Sequence, residues 1–304
     1  MSKANLSLTN DHIFHRVFGV EETKDSLIYI INEVFADLDL KKIKEITLLN
    51  PINYSEFIKG KNSVLDIKAK SETDELFNIE MQISDEKDFI LRSHKYLSQM
   101  HATQGEKGGK YTEIKPSHSI NFLNFSIEPE SKNFHKYFLM TEYTDKDFTL
   151  NVFNMHYIEM NKVKKVHDKS TKLEKMIYFM KRINQTEDKE VASLIKSDAN
   201  IKRMYEDYKR VMSDTDMVHY FQSLEKKEAD ELNRLYNAEA RGEARGEARG
   251  EARGEARGEA RGEAQKQREF VLRLVQRQFS IEEIADMVGI TETEVQQIIN
   301  YSSK

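Results

Sequence analysis

The stretch that most constrains this chain runs from Val64 to Ser84, VLDIKAKSETDELFNIEMQIS, because its period-two alternation is incompatible with a helix. Leu65, Ile67 and Ala69 share one side of a strand, and Asp66, Lys68 and Lys70 share the other. Beyond a polar break, Phe77, Ile79, Met81 and Ile83 line a face opposite Asn78, Glu80 and Gln82. Two such runs around a polar turn predict a β-hairpin. With the turn centred on Thr73, Asp66 lies directly across the ladder from Glu80. Cross-strand Cβ atoms are roughly 4.5–5.5 Å apart, so two carboxylates are expected side by side. Like charges so placed destabilise a sheet unless solvent or a cation separates them. The spacing alone fits two readings: an amphipathic hairpin with one wet face, or a carboxylate metal site.

The chain has 304 residues, enough for one sizeable domain and an appendage. A charged fraction of 33% with a net charge of −5 gives no global basic signature, so contact with nucleic acid needs a local patch. The absence of Cys excludes disulfides and thiolate chemistry. No apolar run approaches the ~20 residues of a membrane span, and no apolar signal region opens the chain, so no membrane partner and a cytoplasmic location are expected.

Before the hairpin, TNDHIFHRVFG (9–19) predicts a short helix capped by Thr9 or Asn10 and stopped at Gly19, with Phe14, Val17 and Phe18 as its stripe. Asp11 in its first turn complements the helix dipole. A second helix is expected over Asp25–Phe35, then a strand over Ile43–Leu49. After the hairpin, Glu86–Met100 predicts a helix with Phe89, Ile90, Leu97 and Met100 inward and with Arg92 and Tyr96 sharing a face at i, i+4. Further strands are expected over Ser119–Ser126, Tyr137–Glu142 and Val152–Ile158, making a mixed sheet of about six. From Ser170 to about Ala238 the pattern turns helical. Lys162, Lys164, Lys165, Lys172, Lys175 and Lys181 make its start the most basic local region, either a solvated face or an electrostatic footprint.

Asp66 followed by Glu80-Met81-Gln82 is similar to the core motif of PD-(D/E)xK nucleases, with Gln where Lys is usual. Together with LTNDHIFHRVFG, LDIKAK, FNIEMQIS and the Arg- and Tyr-bearing helix, in that order, the chain resembles the Rpn family of recombination-promoting nucleases, a group related to transposases. The resemblance covers roughly residues 8–236. It implies an α/β fold with a restriction-endonuclease-like core, a mixed sheet flanked by helices, and a metal-dependent DNA endonuclease that promotes recombination or defends against foreign DNA, including phage. Asp66 and Glu80, with the Met81 carbonyl, would hold Mg²⁺ or Mn²⁺, hard cations that suit one or two carboxylates plus substrate phosphate. The family pattern adds Asp11 as a further ligand from the first helix. Gln82 occupies the position of the water-orienting Lys but carries no charge, and Lys68 is the candidate to supply it. Arg92 and Tyr96 would meet substrate.

Arg241–Ala264 is six copies of RGEA. A Gly in each costs a helix roughly 1 kcal/mol relative to Ala. The two-residue offset of Arg and Glu denies them i, i+4 pairing, so a marginal helix is expected that flanking helices and strand association would rescue, a long spacer that is helical when assembled. In residues 265–304, Ser280 caps Ile281–Val288, Gly289 makes a turn and Thr291 caps Glu292–Tyr301, the outline of a helix-turn-helix. Its second helix begins with acids that repel phosphate, favouring a dimerisation module over a DNA reader. The expected domains are a nuclease core (1–165), a helical extension (166–238), the spacer (239–264) and this module (265–304). A homo-oligomer, a dimer through the module, is the expected assembly. Internal translation from Met212 or Met217 would give a short C-terminal product of the same gene. The alternative function is a catalytically degenerate nuclease fold acting as an oligomerising regulatory or DNA-binding protein, favoured by Gln82 and the acidic module.

Overall fold

A computed structural model of the chain describes residues 6–49, 67–84, 88–105 and 110–302. Contacts divide it into two units, Met1–Lys226 and Lys227–Lys304.

The first unit is built on a six-stranded mixed sheet in the order β1-β2-β3-β4-β6-β5. The strands are β1 (Ile46–Leu48), β2 (Ile67–Ser71), β3 (Leu76–Gln82), β4 (Ser117–Leu123), β5 (His135–Thr141) and β6 (Thr149–Glu159). β2 and β3 form the expected hairpin, with Ile67 opposite Ile79 and Lys68 opposite Asn78, the register that a turn centred on Thr73 requires. The turn is closed by the Ser71 N–H on the Glu75 carbonyl at 3.0 Å. Asp74 sits at φ 64°, a left-handed conformation that a short polar side chain tolerates. Asp66 lies outside the described residues, as do Pro51 and the expected start of the next helix at Glu86.

From β3 the chain crosses over through a helix, and β4 pairs with β3 in parallel, as β6 does with β4. A parallel pair needs such a crossover, and the covering helix buries the second face of the strand. This corrects the one-wet-face reading of the hairpin: Leu76 to Met81 are all buried, Asn78 and Glu80 included. Alternation set which residues share a face, but a helix from elsewhere in the chain decided that both faces are covered.

One face of the sheet carries α1 (Asp11–Phe18) and α2 (Lys24–Ala36), together with α4 (Lys172–Arg182), α5 (Lys189–Ser197) and α6 (Ala199–Met212). Its core joins Phe14, Phe18 and Ile30 to Phe77, Ile79, Phe122 and Phe179. α1 is capped where expected, the Asn10 side chain accepting from the Ile13 N–H at 3.1 Å. The other face carries α3 (Phe89–Ala102), whose Phe89, Leu97 and Met100 pack on Leu76, Leu123, Met155 and Tyr157. Ile90, expected inward, is 42% exposed. The inward stripe is Phe89, Ser93, Leu97 and Met100, and Ile90 stands about 100° around the helix from Phe89.

A 62-residue helix, α7 (Thr215–Gln276), runs from the end of the first unit into the second. It contains the whole RGEA tract, whose residues are exposed or nearly so. The tract is helical within the single chain, rescued by its flanking helical segments as the sequence allows. The costly step in forming a helix is nucleation, and flanking turns have already made it when the tract is interior. Within the second unit, Val271 and Leu274 of α7 pack with Ile284 and Ala285 of α8 (Ile281–Val288) and Val295 of α9 (Glu292–Ser302). Ser280 and Glu283 form a capping box, and Gly289 ends α8 at φ 73°, a conformation that favours glycine.

Candidate active site

The hairpin's second strand ends in the two residues of the sequence motif. Glu80 and Gln82 share a face of β3, the face that α3 covers. Glu80 is only 8% exposed. A buried carboxylate is tolerated where hydrogen bonds offset its lost hydration, and here the Asn78 Nδ2 donates to Glu80 Oε1 at 2.7 Å. Asn121 stands beside Glu80 on β4 and is itself tied down, its Nδ2 donating to Ser119 Oγ at 3.0 Å and to the His156 carbonyl at 3.1 Å. Next in the row is Tyr157, whose hydroxyl bonds Ser93 of α3 at 2.8 Å. Burial pushes the Tyr157 phenol up from its ordinary range, and the Glu80 charge adds to that.

Gln82, at the open end of this row, donates from Nε2 to the Ser84 carbonyl at 3.2 Å and accepts at Oε1 from Arg92 Nη2 at 3.4 Å. Arg92 leans over the Phe89 ring, 5.5 Å from its centroid, and reaches Asp88 at 4.0 Å. α3 thus brings a guanidinium to the residue that stands where the motif has Lys. The remaining site residues from the sequence are placed as follows. Lys68 is on the same face, opposite Asn78 rather than Glu80. Asp11 accepts from the His12 N–H at 2.8 Å in the first turn of α1, a helix packed against the face of β3 opposite to that of Glu80. Met81 turns its side chain into the core beneath the opposite face. Tyr96 is exposed on α3 and, among the described residues, makes no hydrogen bond. Asp66 lies outside the described residues.

Among the described residues no group of three or more His, Asp and Glu surrounds a point where a metal ion would sit. The donor chemistry around Glu80 nevertheless suits a hard cation, being carboxylate, carboxamide and hydroxyl oxygen. It also includes a buried oxygen, Asn78 Oδ1, that has no hydrogen-bond partner among the described residues.

The sequence reading passed over Asn78, Ser93, Asn121 and Tyr157. Asn78 could have been found as the polar residue two before Glu80 on its own face. The others arrive from β4, β6 and α3, and only the crossover brings them in.

A second polar cluster lies under the opposite face. His135 Nδ1 is 2.8 Å from Asp37 Oδ2, and its Nε2 is 3.2 Å from His156 Nδ1. His118 stacks on Phe77 with centroids 4.9 Å apart, and Glu75 lies 3.8 Å from its Nε2. Burial drives the His118 imidazole down to about 3 and holds His156 well below its ordinary value. These rings are core residues and take no part in the row around Glu80.

Three of the six lysines of the basic stretch are engaged by the fold. Lys181 donates to the carbonyls of Met160 and Val163 at 2.8 and 2.9 Å, Lys162 pairs with Glu159 and reaches the Glu128 and Ser131 carbonyls, and Lys175 reaches the Asp168 carbonyl at 3.1 Å. As an electrostatic footprint it is weaker than its sequence suggests.

Residues 8–238 match the model of the PD-(D/E)XK nuclease family transposases. The chain belongs to that family. The match takes in the whole sheet and the helices on both its faces, and it makes a nuclease- or transposase-like activity the function at family level. No curated protein and no solved structure matches the chain. Among the described residues, no helix is long and apolar enough to cross a membrane.

Proposed function

We propose that this PD-(D/E)XK family member is a metal-dependent DNA endonuclease working in the cytoplasm on recombining or foreign DNA. The observation that carries the reading is the buried Glu80 carboxylate, bonded by Asn78 and two residues before Gln82, which Arg92 contacts. Asp66, the residue before the described start of β2, is the second carboxylate. Asp11 and the Met81 carbonyl complete the donor set. Bound there, Mg²⁺ or Mn²⁺ supplies charge neutralisation at the scissile phosphate and lowers the pKa of the attacking water. Gln82 orients that water by hydrogen bonding. Arg92 supplies the positive charge that an amide lacks, by its contact at 3.4 Å a better placed source than Lys68. Tyr96, exposed on the same helix, faces the DNA backbone.

The second unit serves self-association, since Phe270, Met287 and Tyr301 remain exposed around its small core. A short product started at Met212 or Met217 would carry this unit and cap the full-length chain; an immunoblot against the C-terminus that shows only the full-length band removes that idea. The alternative, a degenerate nuclease fold that binds DNA or regulates as an oligomer, is favoured by the uncharged Gln82.

Plasmid nicking separates the two. Purified protein is assayed with Mg²⁺ or Mn²⁺, with EDTA, and as Asp66→Ala and Glu80→Ala. The endonuclease reading expects metal-dependent cutting that both substitutions abolish. No cutting by a folded protein that still binds DNA supports the alternative.

A further inference from the structure

The RGEA tract carries a charge pattern that a lone helix does not satisfy. Each Arg is followed by another four residues on, as Arg241 is by Arg245, and each Glu likewise, as Glu243 is by Glu247. On a helix such i, i+4 residues are neighbours, and like charges there repel. Past the tract the same spacing is attractive, with Arg273 3.8 Å from Glu269. Within a repeat, Arg and Glu stand two residues apart, about 200° around the axis, and so occupy opposite sides of α7. Every residue of the tract is exposed except the half-buried Gly262. Both charged stripes are therefore open to an outside partner.

The order of the repeat names that partner. Read backwards, RGEARGE becomes EGRAEGR, the same series with Arg and Glu exchanged. We propose that the tract is a self-association helix that pairs with the tract of a second copy in antiparallel orientation, each Arg level with a Glu of the other copy. Full overlap is centred on Ala252, which meets its own equivalent. Arg249 then stands level with the second copy's Glu255, Glu251 with its Arg253, and Gly250 with its Gly254. The match holds at every level of the tract because it depends on residue order alone. Parallel copies in register do the reverse, setting Arg on Arg and Glu on Glu. Charge thus selects both the occupant and its direction, and the antiparallel pair closes by two-fold symmetry. Small residues come level with small residues, which lets the axes approach; Ala meets Ala in the same contact, so the pairing does not require glycine. The proposal rests on the self-association reading above and places the contact on the tract instead of around Phe270, Met287 and Tyr301. It is independent of the endonuclease reading.

The test is sedimentation equilibrium of the full chain, as wild type and as three variants: all six tract arginines changed to Glu, all six tract glutamates changed to Arg, and both changes together. Raising NaCl from about 0.1 to about 1 M shortens the Debye length from about 10 to about 3 Å and is expected to raise the dimer dissociation constant about tenfold or more. Each single-sign variant is expected to dimerise about 100-fold or more weakly by itself and to recover when the two are mixed, even where its own tract frays. The doubly changed variant keeps the pattern and is expected to dimerise like wild type. Direction is read by oxidative cross-linking, since the chain has no Cys and one introduced residue reports one contact. Ala252→Cys is expected to cross-link by itself. Ala248→Cys and Ala256→Cys are expected to cross-link only when mixed, because in an antiparallel pair each lies about 12 Å along the axis from its own equivalent, beyond the roughly 7 Å that a disulfide spans between Cα atoms. Cross-linking of Ala248→Cys by itself marks a parallel pair and overturns the proposal. A dimer indifferent to salt and to all three charge variants also overturns it, while self-association through Phe270, Met287 and Tyr301 stands. A wild type that stays monomeric overturns both.

Discussion

Acidification tests the buried histidines quantitatively. His118 is held down to about 3, against an ordinary 6.5, by burial beneath α2, where Phe35 and Phe77 pack on its ring. The groups facing it are Glu75 on the hairpin and His156 on β6, the latter linked through His135 to Asp37. A histidine whose folded value is depressed stays neutral in the native state, whereas the unfolded chain takes up a proton below about 6.5. Stability is therefore complete above that pH and falls as acid is added, until the folded value is reached. At pH 5, about 1.5 pH units below the unfolded value and well above the folded one, His118 alone removes about 2 kcal/mol relative to pH 8, at about 1.36 kcal/mol per unit. His156 acts with the same sign. Glu33, Glu75 and Asp207 have raised values and act with the opposite sign, so the comparison must isolate one ring. His118→Phe does so, since an aromatic ring preserves the stack on Phe77. Urea unfolding at pH 8, 7, 6 and 5, followed by near-UV circular dichroism, reports the first unit through its buried tyrosines Tyr29, Tyr157, Tyr178 and Tyr208. The variant is expected to lose about 2 kcal/mol less than wild type between pH 8 and 5. Identical pH dependence in the two proteins, or a wild type that gains stability in acid, refutes the reasoning.

Three further outcomes follow from the geometry. Gln82→Lys adds a charge that Arg92 already supplies and is expected to leave Mg²⁺-dependent nicking nearly unchanged; a rise of about tenfold or more would show that Arg92 does not fill the role. Phe89→Ala empties the seam between α3 and the sheet and is expected to cost roughly 3–5 kcal/mol in urea unfolding, with Glu80 exposed to solvent in consequence; a loss below about 1 kcal/mol contradicts the placement of α3. Gly→Ala at all six RGEA glycines meets no atom within 4 Å of the new methyl groups. It is expected to raise the melting temperature of the helical signal, at roughly 0.5–1 kcal/mol per site; a lowered one would show that the glycines face a partner.

Much of the site is legible in the chain because it is local. The pairing of Lys68 with Asn78 and of Ile67 with Ile79 follows from the turn at Thr73, and the caps at Asn10, Ser280 and Thr291 follow from side chains reaching backbone two or three residues away. Arg92 and Gln82, each singled out from the sequence, do meet. Ile90 was misassigned because an apolar residue beside Phe89 reads as core, while the inward position belongs to Ser93, a polar residue that acquires its purpose from Tyr157. The basic stretch misled for a similar reason: charge is visible in sequence, but the carbonyls that Lys162 and Lys181 brace are not.

Periodicity and the polar turn determined that Ile67–Ser71 and Leu76–Gln82 pair as a hairpin, which residues share a face, and that Glu80 and Gln82 lie together. These depend on a two-residue repeat and a turn, interactions that span a few residues. Tertiary structure decided that the polar face is dry. α3 folds back over β3 and β4 and removes Glu80 from water, with Asn78 among the groups that meet its carboxylate. Burial is fixed by whatever element covers a surface, and that element lies beyond the reach of any local pattern.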